Sequence, residues 1–194
     1  MTMAKHGEDT VVRVMREVDR AAFLPSSQRG RAGFDGPIRI GFGQTNSQPR
    51  TVANMLRLLD VQPGQRVLDV GSGSGWSTAL LGELVGPEGT VIGVERVPEL
   101  VVRSREALDA RGRSWVEVRE ALPGTLGWPE DGPFDRILVS AEARELPEQL
   151  VEQLAVDGRM VIPVRSRMLL VTKDESGIEV SAHGAYLFVP LIEG

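Results

Sequence analysis

Residues 67–75 read VLDVGSGSG, and this stretch decides the fold. An apolar run of strand type, residues 66–70, leads into three glycines, and an apolar helical pattern over residues 76–85 follows them. Glycine permits a tight turn and lets a ligand approach the backbone closely, so this order is typical of nucleotide-binding α/β folds. A second strand-like run ends at Glu95, whose carboxylate can accept hydrogen bonds from ribose hydroxyls.

The glycine spacing and the residue before the loop distinguish two classes of ligand. Dinucleotide sites follow Gly-x-Gly-x-x-Gly, whereas this loop follows Gly-x-Gly-x-Gly. The Asp69 carboxylate would repel a pyrophosphate but suits an ammonium or a sulfonium cation. We therefore expect S-adenosylmethionine as the cofactor, and a nicotinamide-dependent dehydrogenase is disfavoured. The expected cofactor-binding residues here are Asp69, Gly71, Ser72, Gly73, Gly75 and Glu95.

Strand-like and helix-like runs alternate along the rest of the chain. Seven runs predict strands: residues 66–70, 90–95, 115–119, 134–140, 159–164, 168–173 and 185–191. Between the earlier strands, residues 76–85, a run from Pro98 and residues 147–154 predict helices. Only a turn at residues 174–177 separates the last two strands. We predict a doubly wound α/β fold, a mostly parallel seven-stranded sheet with an antiparallel C-terminal hairpin.

The first 60 residues show a different pattern. Apolar residues at helical spacing predict one helix over residues 10–24, capped by Thr10, and a second helix follows residue 49. Residues 25–49 are rich in glycine and proline and predict irregular chain, which is often functional at this length. We expect residues 1–60 to form a helical and irregular extension that covers the acceptor site, and residues 61–194 to bind the cofactor.

Composition excludes several classes of function. The chain lacks cysteine, which removes thiolate nucleophiles and cysteine-ligated metals, and its histidines, His6 and His183, are far apart in sequence. The formal net charge of -5 argues against a nucleic-acid groove. No run reaches the roughly 20 apolar residues of a membrane helix, and the N-terminus does not read as a secretory signal. We expect a cytoplasmic protein with no metal, membrane or nucleic-acid partner.

Motifs along most of the chain resemble those of the protein-L-isoaspartate O-methyltransferases. Residues 40–49, IGFGQTNSQP, are similar to the distinctive family motif Gly-x-Gly-Gln-Thr-Ile-Ser-Gln-Pro. The glycine loop, ERVPEL at 95–100, GWPE at 127–130 and FVPL at 188–191 follow in family order. The resemblance implies methylation of the free carboxylate of L-isoaspartyl residues in damaged proteins. It further implies closure of the ester to a succinimide and partial return to aspartate.

The acceptor residues are expected in residues 41–49. A carboxylate acceptor is already ionised at neutral pH, so it requires hydrogen-bond donors that orient one oxygen and no general base. Thr45, Ser47 and Gln48 supply such donors, and the resemblance implies that Ser47 is the catalytic residue. Alternatively, or in addition, Ser47 caps the helix that begins at residues 48–49.

Three departures from the family pattern concern the remaining site residues. The family's Gly-Asp-Gly near the adenine is replaced by residues 120–124, EALPG, so Glu120 takes the place of the aspartate or that contact is missing. Arg144 replaces a proline in the segment that borders the acceptor, and we expect it to contact substrate. Asn46 replaces the isoleucine of the family motif. Arg96, beside Glu95 in its motif, is also expected to bind the cofactor.

These departures leave two alternatives open besides isoaspartyl repair. One is a divergent methyltransferase that acts on another carboxylate or on a small molecule. The other is a protein that binds S-adenosylmethionine without turning it over. In each case we expect a monomer.

Overall fold

A computed structural model describes residues 9–192 of the chain, so His6 and the extreme N-terminus lie outside the described residues. Helix α1 (Thr10–Glu17) is followed by two 3₁₀ helices, Arg20–Phe23 and Ser26–Arg31. A hairpin of β1 (Ile38–Gly41) and β2 (Gln44–Asn46) then leads into α2 (Pro49–Leu59).

The predicted continuous helix over residues 10–24 is wrong. The helix ends at Glu17, because Val18 is extended and the Asp19 carboxylate accepts a hydrogen bond from the Ala21 N–H, which starts a separate 3₁₀ turn. The cap of α1 is also one residue earlier than predicted. Asp9, not Thr10, accepts hydrogen bonds from the first free N–H groups of the helix.

The prediction of irregular chain over residues 25–49 is only partly right. Ile38 and Ile40 alternate with exposed residues on β1 and are buried against Leu24 and Leu100. This small apolar cluster holds the β1–β2 hairpin on the α/β body. Glycines at the hairpin tip, Gly41 and Gly43, have positive φ and allow the chain to reverse.

Seven strands and three further helices form the α/β body. In chain order the elements are β3 (Arg66–Val70), α3 (Trp76–Val85), β4 (Thr90–Glu95), α4 (Pro98–Asp109), β5 (Val116–Glu120), β6 (Phe134–Val139), α5 (Glu148–Glu152), β7 (Leu154–Val164), β8 (Arg167–Asp174) and β9 (Gly177–Ala185). The strand order is β5-β4-β3-β6-β7-β8-β9, and the first five of these are parallel. The predicted fold class is therefore confirmed.

The sheet separates two apolar clusters. Along β3, Val67 belongs to the cluster under α1 to α4, whereas Leu68 and Val70 belong to the cluster on the opposite face. This alternation is the period of two that a strand imposes on its side chains. Helices α1 and α2 contribute Val14 and Leu56 to the first cluster, so the N-terminal region shares a core with the sheet.

The predicted last strand, residues 185–191, is wrong. The strand β9 lies earlier, at Gly177–Ala185, where it is an exposed edge strand that the apolar pattern did not indicate. The apolar residues after it leave the sheet. Val189 and Leu191 form backbone hydrogen bonds with Glu142, so this segment runs along the carboxyl ends of the strands.

None of the helices in residues 9–192 is long and apolar enough to cross a bilayer. The same residues contain no cluster of histidine and acidic side chains arranged to hold a metal ion.

Gly82 sets how closely α3 packs on β5. A Cβ atom at this position would lie 2.4 Å from a methyl carbon of Val116, a buried side chain on β5. The Trp115 indole donates a hydrogen bond to the Gly82 carbonyl at 2.9 Å, which also ties α3 to the residue directly before β5. The absence of a side chain on Gly82 therefore lets helix and strand approach.

We expect Gly82→Ala to lower the free energy of unfolding by about 1–3 kcal/mol, because the overpacked contact forces helix and strand apart. In a helix without such a close contact, replacing glycine by alanine stabilises the helix by about 1 kcal/mol. Urea unfolding of Gly82→Ala measures the effect, and Gly30→Ala is the control, since a Cβ there has nothing within 4 Å. A Gly82→Ala protein as stable as the parent would contradict this packing argument.

Candidate active site

A cavity of about 360 Å³ lies at the carboxyl ends of the parallel strands. It occupies the point where the strand order reverses, between β3 and β6, which is the usual ligand site of such sheets. One wall is the glycine loop with Glu95 and residues 120–127. The facing wall consists of β2, of Ser47, which follows it, and of residues 189–192 from the C-terminal segment.

The glycine loop has a backbone that other residues rarely adopt. Gly71, Gly73 and Gly75 have φ values of +74°, +55° and +86°, in the region that favours glycine. Gly71 and Gly73 line the cavity, whereas Gly75 begins α3 and packs against Ser104. The first two glycines therefore expose backbone to a ligand, and Gly75 serves helix packing.

Glu95 is held in place by the backbone around it. One carboxylate oxygen accepts from the Gly73 N–H at 2.8 Å. The other accepts from the N–H groups of Arg96 and Val97 at 2.8 and 2.9 Å. Each carboxylate oxygen has further acceptor capacity. The side chain is buried yet borders the cavity, so it is an oriented acceptor for the hydroxyl groups of a ligand.

Asp69 lies behind the glycine loop and does not line the cavity. One of its oxygens accepts from the hydroxyls of Ser77 and Thr78, both at 2.7 Å, and the other is buried without a partner among the described residues. Burial, partly offset by these hydroxyl bonds, raises the pKa of Asp69 to about 6. The sequence predicted direct contact between Asp69 and the ligand. The structure instead places Asp69 behind the loop, where it anchors the start of α3.

The residues of this wall suit S-adenosylmethionine. The Ser72 hydroxyl lines the cavity and is buried without a partner among the described residues, as an unfilled polar contact would be. Glu95 presents to the cavity oriented acceptors of the kind that ribose hydroxyls require, and the glycine spacing is not that of a pyrophosphate site. Buried negative charge at Asp69 and Glu95 favours a cationic ligand.

The facing wall is organised by a buried arginine that sequence reasoning missed. Arg20 donates six hydrogen bonds to the Asn46 side chain and to the carbonyls of Ala32, Phe34, Gly36, Asn46 and Ser47. Its guanidinium also lies over the Trp76 ring, 5.3 Å from the centroid. Burial lowers the pKa of Arg20 to about 10, so the side chain is charged at neutral pH.

Ser47 borders the cavity with an uncommitted hydroxyl. No described residue forms a hydrogen bond with this hydroxyl, and Ser47 is held through its carbonyl by Arg20 at 2.9 Å. The alternative role as a helix cap is wrong. Helix α2 begins at Pro49 with Gln48 as its cap residue, and no side chain caps it.

A second depression adjoins the cavity across a shared wall. Thr45, Ser47, Ser140 and Val189 line both, and the second depression continues past Gln48, Asn54 and Tyr186 over about 760 Å³. The Gln48 amide is engaged within the chain, with the Asp35 carbonyl and the Thr51 hydroxyl. Thus Thr45 and Ser47 sit where the two spaces meet, and Gln48 lies only in the second.

The remaining predicted residues fall in different places. Arg96 and Glu120 line the cavity beside Glu95, and both are largely exposed. Arg144 lines neither space; its carbonyl accepts from Arg165, and its side chain is exposed. The predicted contact of Arg144 with substrate therefore has no support in the described geometry.

Three groups of site residues escaped the sequence analysis. They are Arg20 and Asn46, Ser74 of the glycine loop, and residues 189–192. The available signal for Arg20 was its place directly before the apolar run 21–24, and for Asn46 it was a polar residue at a family isoleucine. Residues 189–192 were recognised as a motif but were assigned to a strand.

The sequence relatives of this chain belong to one family. A sequence profile of the protein-L-isoaspartate(D-aspartate) O-methyltransferases matches residues 2–194. A protein-L-isoaspartate O-methyltransferase of Methanopyrus kandleri is 48% identical over 187 residues, covering 94% of this chain and 83% of that protein. One from Methanothrix thermoacetophila is 45% identical and covers 98% and 91%.

A solved structure gives the same result. A Plasmodium falciparum protein assigned to the protein-L-isoaspartate O-methyltransferases, crystallised with S-adenosyl-L-homocysteine, superimposes with a TM-score of 0.85. The two chains are 32% identical, and the match covers 96% of this chain and 92% of that one.

We expect Asp69 to make stability fall between pH 4 and pH 6. The raised pKa means that the folded state still holds a proton that the unfolded state has released, so unfolding becomes easier as the pH rises through this interval. The cost reaches about 1–3 kcal/mol above pH 6. Urea unfolding of the ligand-free protein and of Asp69→Asn at several pH values isolates this contribution. Parallel pH curves for the two proteins would contradict it.

Proposed function

The chain belongs to the protein-L-isoaspartate(D-aspartate) O-methyltransferase family, and we propose that it transfers the methyl group of S-adenosylmethionine to the free carboxylate of L-isoaspartyl residues in damaged proteins and peptides. The observation that carries the proposal is the cavity itself. Glu95 and the glycine loop form one wall, and Ser47, with its uncommitted hydroxyl, stands opposite at the entrance of a second depression. The S-adenosyl-L-homocysteine bound by the Plasmodium falciparum relative supports this cofactor.

The cofactor side is a set of fixed hydrogen-bonding groups. Glu95 would accept from the ribose hydroxyls, since three backbone N–H groups already orient its carboxylate. Gly71, Ser72 and Gly73 would hold the amino-acid part, and Glu120 with residues 121–127 would enclose the base. When bound, S-adenosylmethionine supplies a methyl group on a sulfonium, which is an electrophile that needs no activation by the protein.

The acceptor side orients an oxygen and removes no proton. An isoaspartyl carboxylate is ionised at neutral pH, so it is already a nucleophile. The Ser47 hydroxyl would donate a hydrogen bond to one carboxylate oxygen and Thr45 would support it, leaving the other oxygen in line with the methyl carbon. Rate enhancement then comes from positioning two bound reactants in a partly dry site.

The second depression provides an entrance for a peptide. It shares a wall with the cofactor cavity that includes Ser47 and Thr45, so a side chain that enters there would reach these two residues. Residues 185–189 and α2 form its sides, which fit an extended chain. In this proposal the described part of the predicted N-terminal extension, residues 9–60, covers the acceptor side.

The monomeric state and the cytoplasmic location stay predictions.

The decisive experiment for the proposed function uses paired peptides. The protein is incubated with methyl-labelled S-adenosylmethionine and a peptide that contains either L-isoaspartate or L-aspartate at one position. We expect base-labile label on the isoaspartyl peptide only, because the linkage formed is a methyl ester. Label on neither peptide, with cofactor binding intact, would reject isoaspartyl repair and point to another acceptor or to a binding protein.

Glu95→Ala should weaken S-adenosyl-L-homocysteine binding by roughly 10- to 100-fold, because a hydrogen bond to a charged group contributes about 1.5–3 kcal/mol. Calorimetric titration gives the affinity. The control ligand is the analogue of S-adenosyl-L-homocysteine that lacks both ribose hydroxyls. The parent protein should bind this analogue as weakly as Glu95→Ala binds S-adenosyl-L-homocysteine itself. An affinity within twofold of the parent would show that Glu95 is not the ribose acceptor.

Ser47→Ala should lower the turnover number by roughly 10²–10³ while cofactor affinity stays nearly unchanged, since one oriented donor is lost in a site shielded from water. Stability should also be nearly unchanged, because Ser47 makes no capping bond. The assay is methyl transfer to the isoaspartyl peptide, with thermal unfolding in parallel. Ser27→Ala, on an exposed 3₁₀ helix, serves as the control. Full activity of Ser47→Ala would remove Ser47 from the mechanism.

A further inference from the structure

Asn46 joins the two walls of the cavity through a single buried side chain. It is 5% exposed and lies at the end of β2, directly before Ser47. Its amide oxygen accepts from the Arg20 guanidinium at 2.7 Å, and its amide nitrogen donates to the Ser74 hydroxyl at 3.1 Å. Ser74 belongs to the glycine loop and lines the cavity. This hydrogen bond therefore links the wall that contains Ser47, the acceptor wall, to the wall formed by the glycine loop and Glu95, the cofactor wall.

The orientation of the Asn46 amide is forced. The Nε of Arg20 only donates, so the amide atom that faces it at 2.7 Å is the oxygen. The NH₂ group then faces Ser74, and because an amide NH₂ does not accept, the Ser74 oxygen is the acceptor. Arg20 thus determines which group donates and which accepts in the hydrogen bond between Asn46 and Ser74.

This polarity decides what the Ser74 hydroxyl can do. The Ser74 oxygen accepts the hydrogen bond from Asn46, so the hydroxyl hydrogen takes no part in that contact. No other described group is hydrogen-bonded to this hydroxyl, and the residue, which is 8% exposed, is one of those that line the cavity. The O–H bond is therefore available to donate to a ligand oxygen in the cavity. An isoleucine, the family residue at this position, would leave the hydroxyl free to turn either way.

We propose that Asn46 is a positioning residue that directs the Ser74 hydroxyl toward the carboxylate of the cofactor's amino-acid part. That carboxylate is the anionic group of the cofactor and the strongest acceptor it offers a hydroxyl. The inference rests on the proposed function only in the identity of the cofactor. It assigns to Asn46 a part in cofactor binding, although the residue sits on the acceptor wall and precedes Ser47.

The test compares two changes at Asn46. Asn46→Asp keeps an acceptor for Arg20, but the new carboxylate accepts from Ser74 and turns its hydroxyl away from the cavity. Asn46→Ile removes both bonds and leaves the hydroxyl free. Affinities are measured for S-adenosyl-L-homocysteine and for 5′-methylthioadenosine, which lacks the amino-acid part with its carboxylate.

We expect Asn46→Asp to weaken S-adenosyl-L-homocysteine by roughly tenfold or more and to change methylthioadenosine by less than twofold. Asn46→Ile should weaken S-adenosyl-L-homocysteine less than Asn46→Asp does, although its unfolding temperature should be lower. Ser74→Ala should weaken the carboxylate ligand as Asn46→Asp does, and adding Asn46→Asp to Ser74→Ala should cause little further loss.

Several results would overturn the inference. Equal loss for both ligands would mean that Asn46→Asp distorts the whole cavity. A large further loss in the double variant would mean direct charge repulsion and no role for Ser74. These are binding measurements, so a parent protein that binds S-adenosyl-L-homocysteine but methylates no isoaspartyl peptide would reject the proposed function and leave this test intact. A parent that does not bind S-adenosyl-L-homocysteine would reject both.

Discussion

The site depends on one buried guanidinium. Arg20 has no hydrogen bond to a carboxylate in the described structure, and carbonyl oxygens from residues 32–47 together with the Asn46 amide take up its donors. A buried charge left without such partners would be strongly destabilising, so the surrounding chain is compelled to keep its carbonyls pointed inward. The position of Ser47 is fixed by this requirement, because its carbonyl is one of the acceptors.

The two walls of the cavity are built by different physical means. On the cofactor side, parallel strands end together, and glycines with positive φ fold the chain tightly around Glu95. On the acceptor side, there is little regular structure, and polar contacts from Arg20 and backbone bonds from Glu142 hold segments distant in sequence. A rigid cofactor frame with a separately anchored acceptor wall suits a displacement reaction, in which relative placement of two reactants is the main demand.

A carboxylate acceptor requires few reactive groups from the protein. A carboxylate brings its own charge and nucleophilicity, so this chain can act without a cysteine, a metal cluster in residues 9–192 or a histidine at the cavity. Glu142 and Arg144, which depart from the family pattern, stand outside the cavity. Glu142 serves there through its backbone, by holding the C-terminal segment that closes one wall.

The sequence by itself determined the frame. The limits of β3, α3 and β4 match the predicted runs, because apolar periodicity and the glycines at 71–75 and 86 act over a few residues. Each of the quoted family motifs likewise contributes residues to the wall of the cavity. Tertiary structure alone decided the Arg20 network, the Asn46–Ser74 link and the path of residues 186–192. These features depend on which partners become buried together across 12 to 28 positions or more, and local pattern carries no information about such partners.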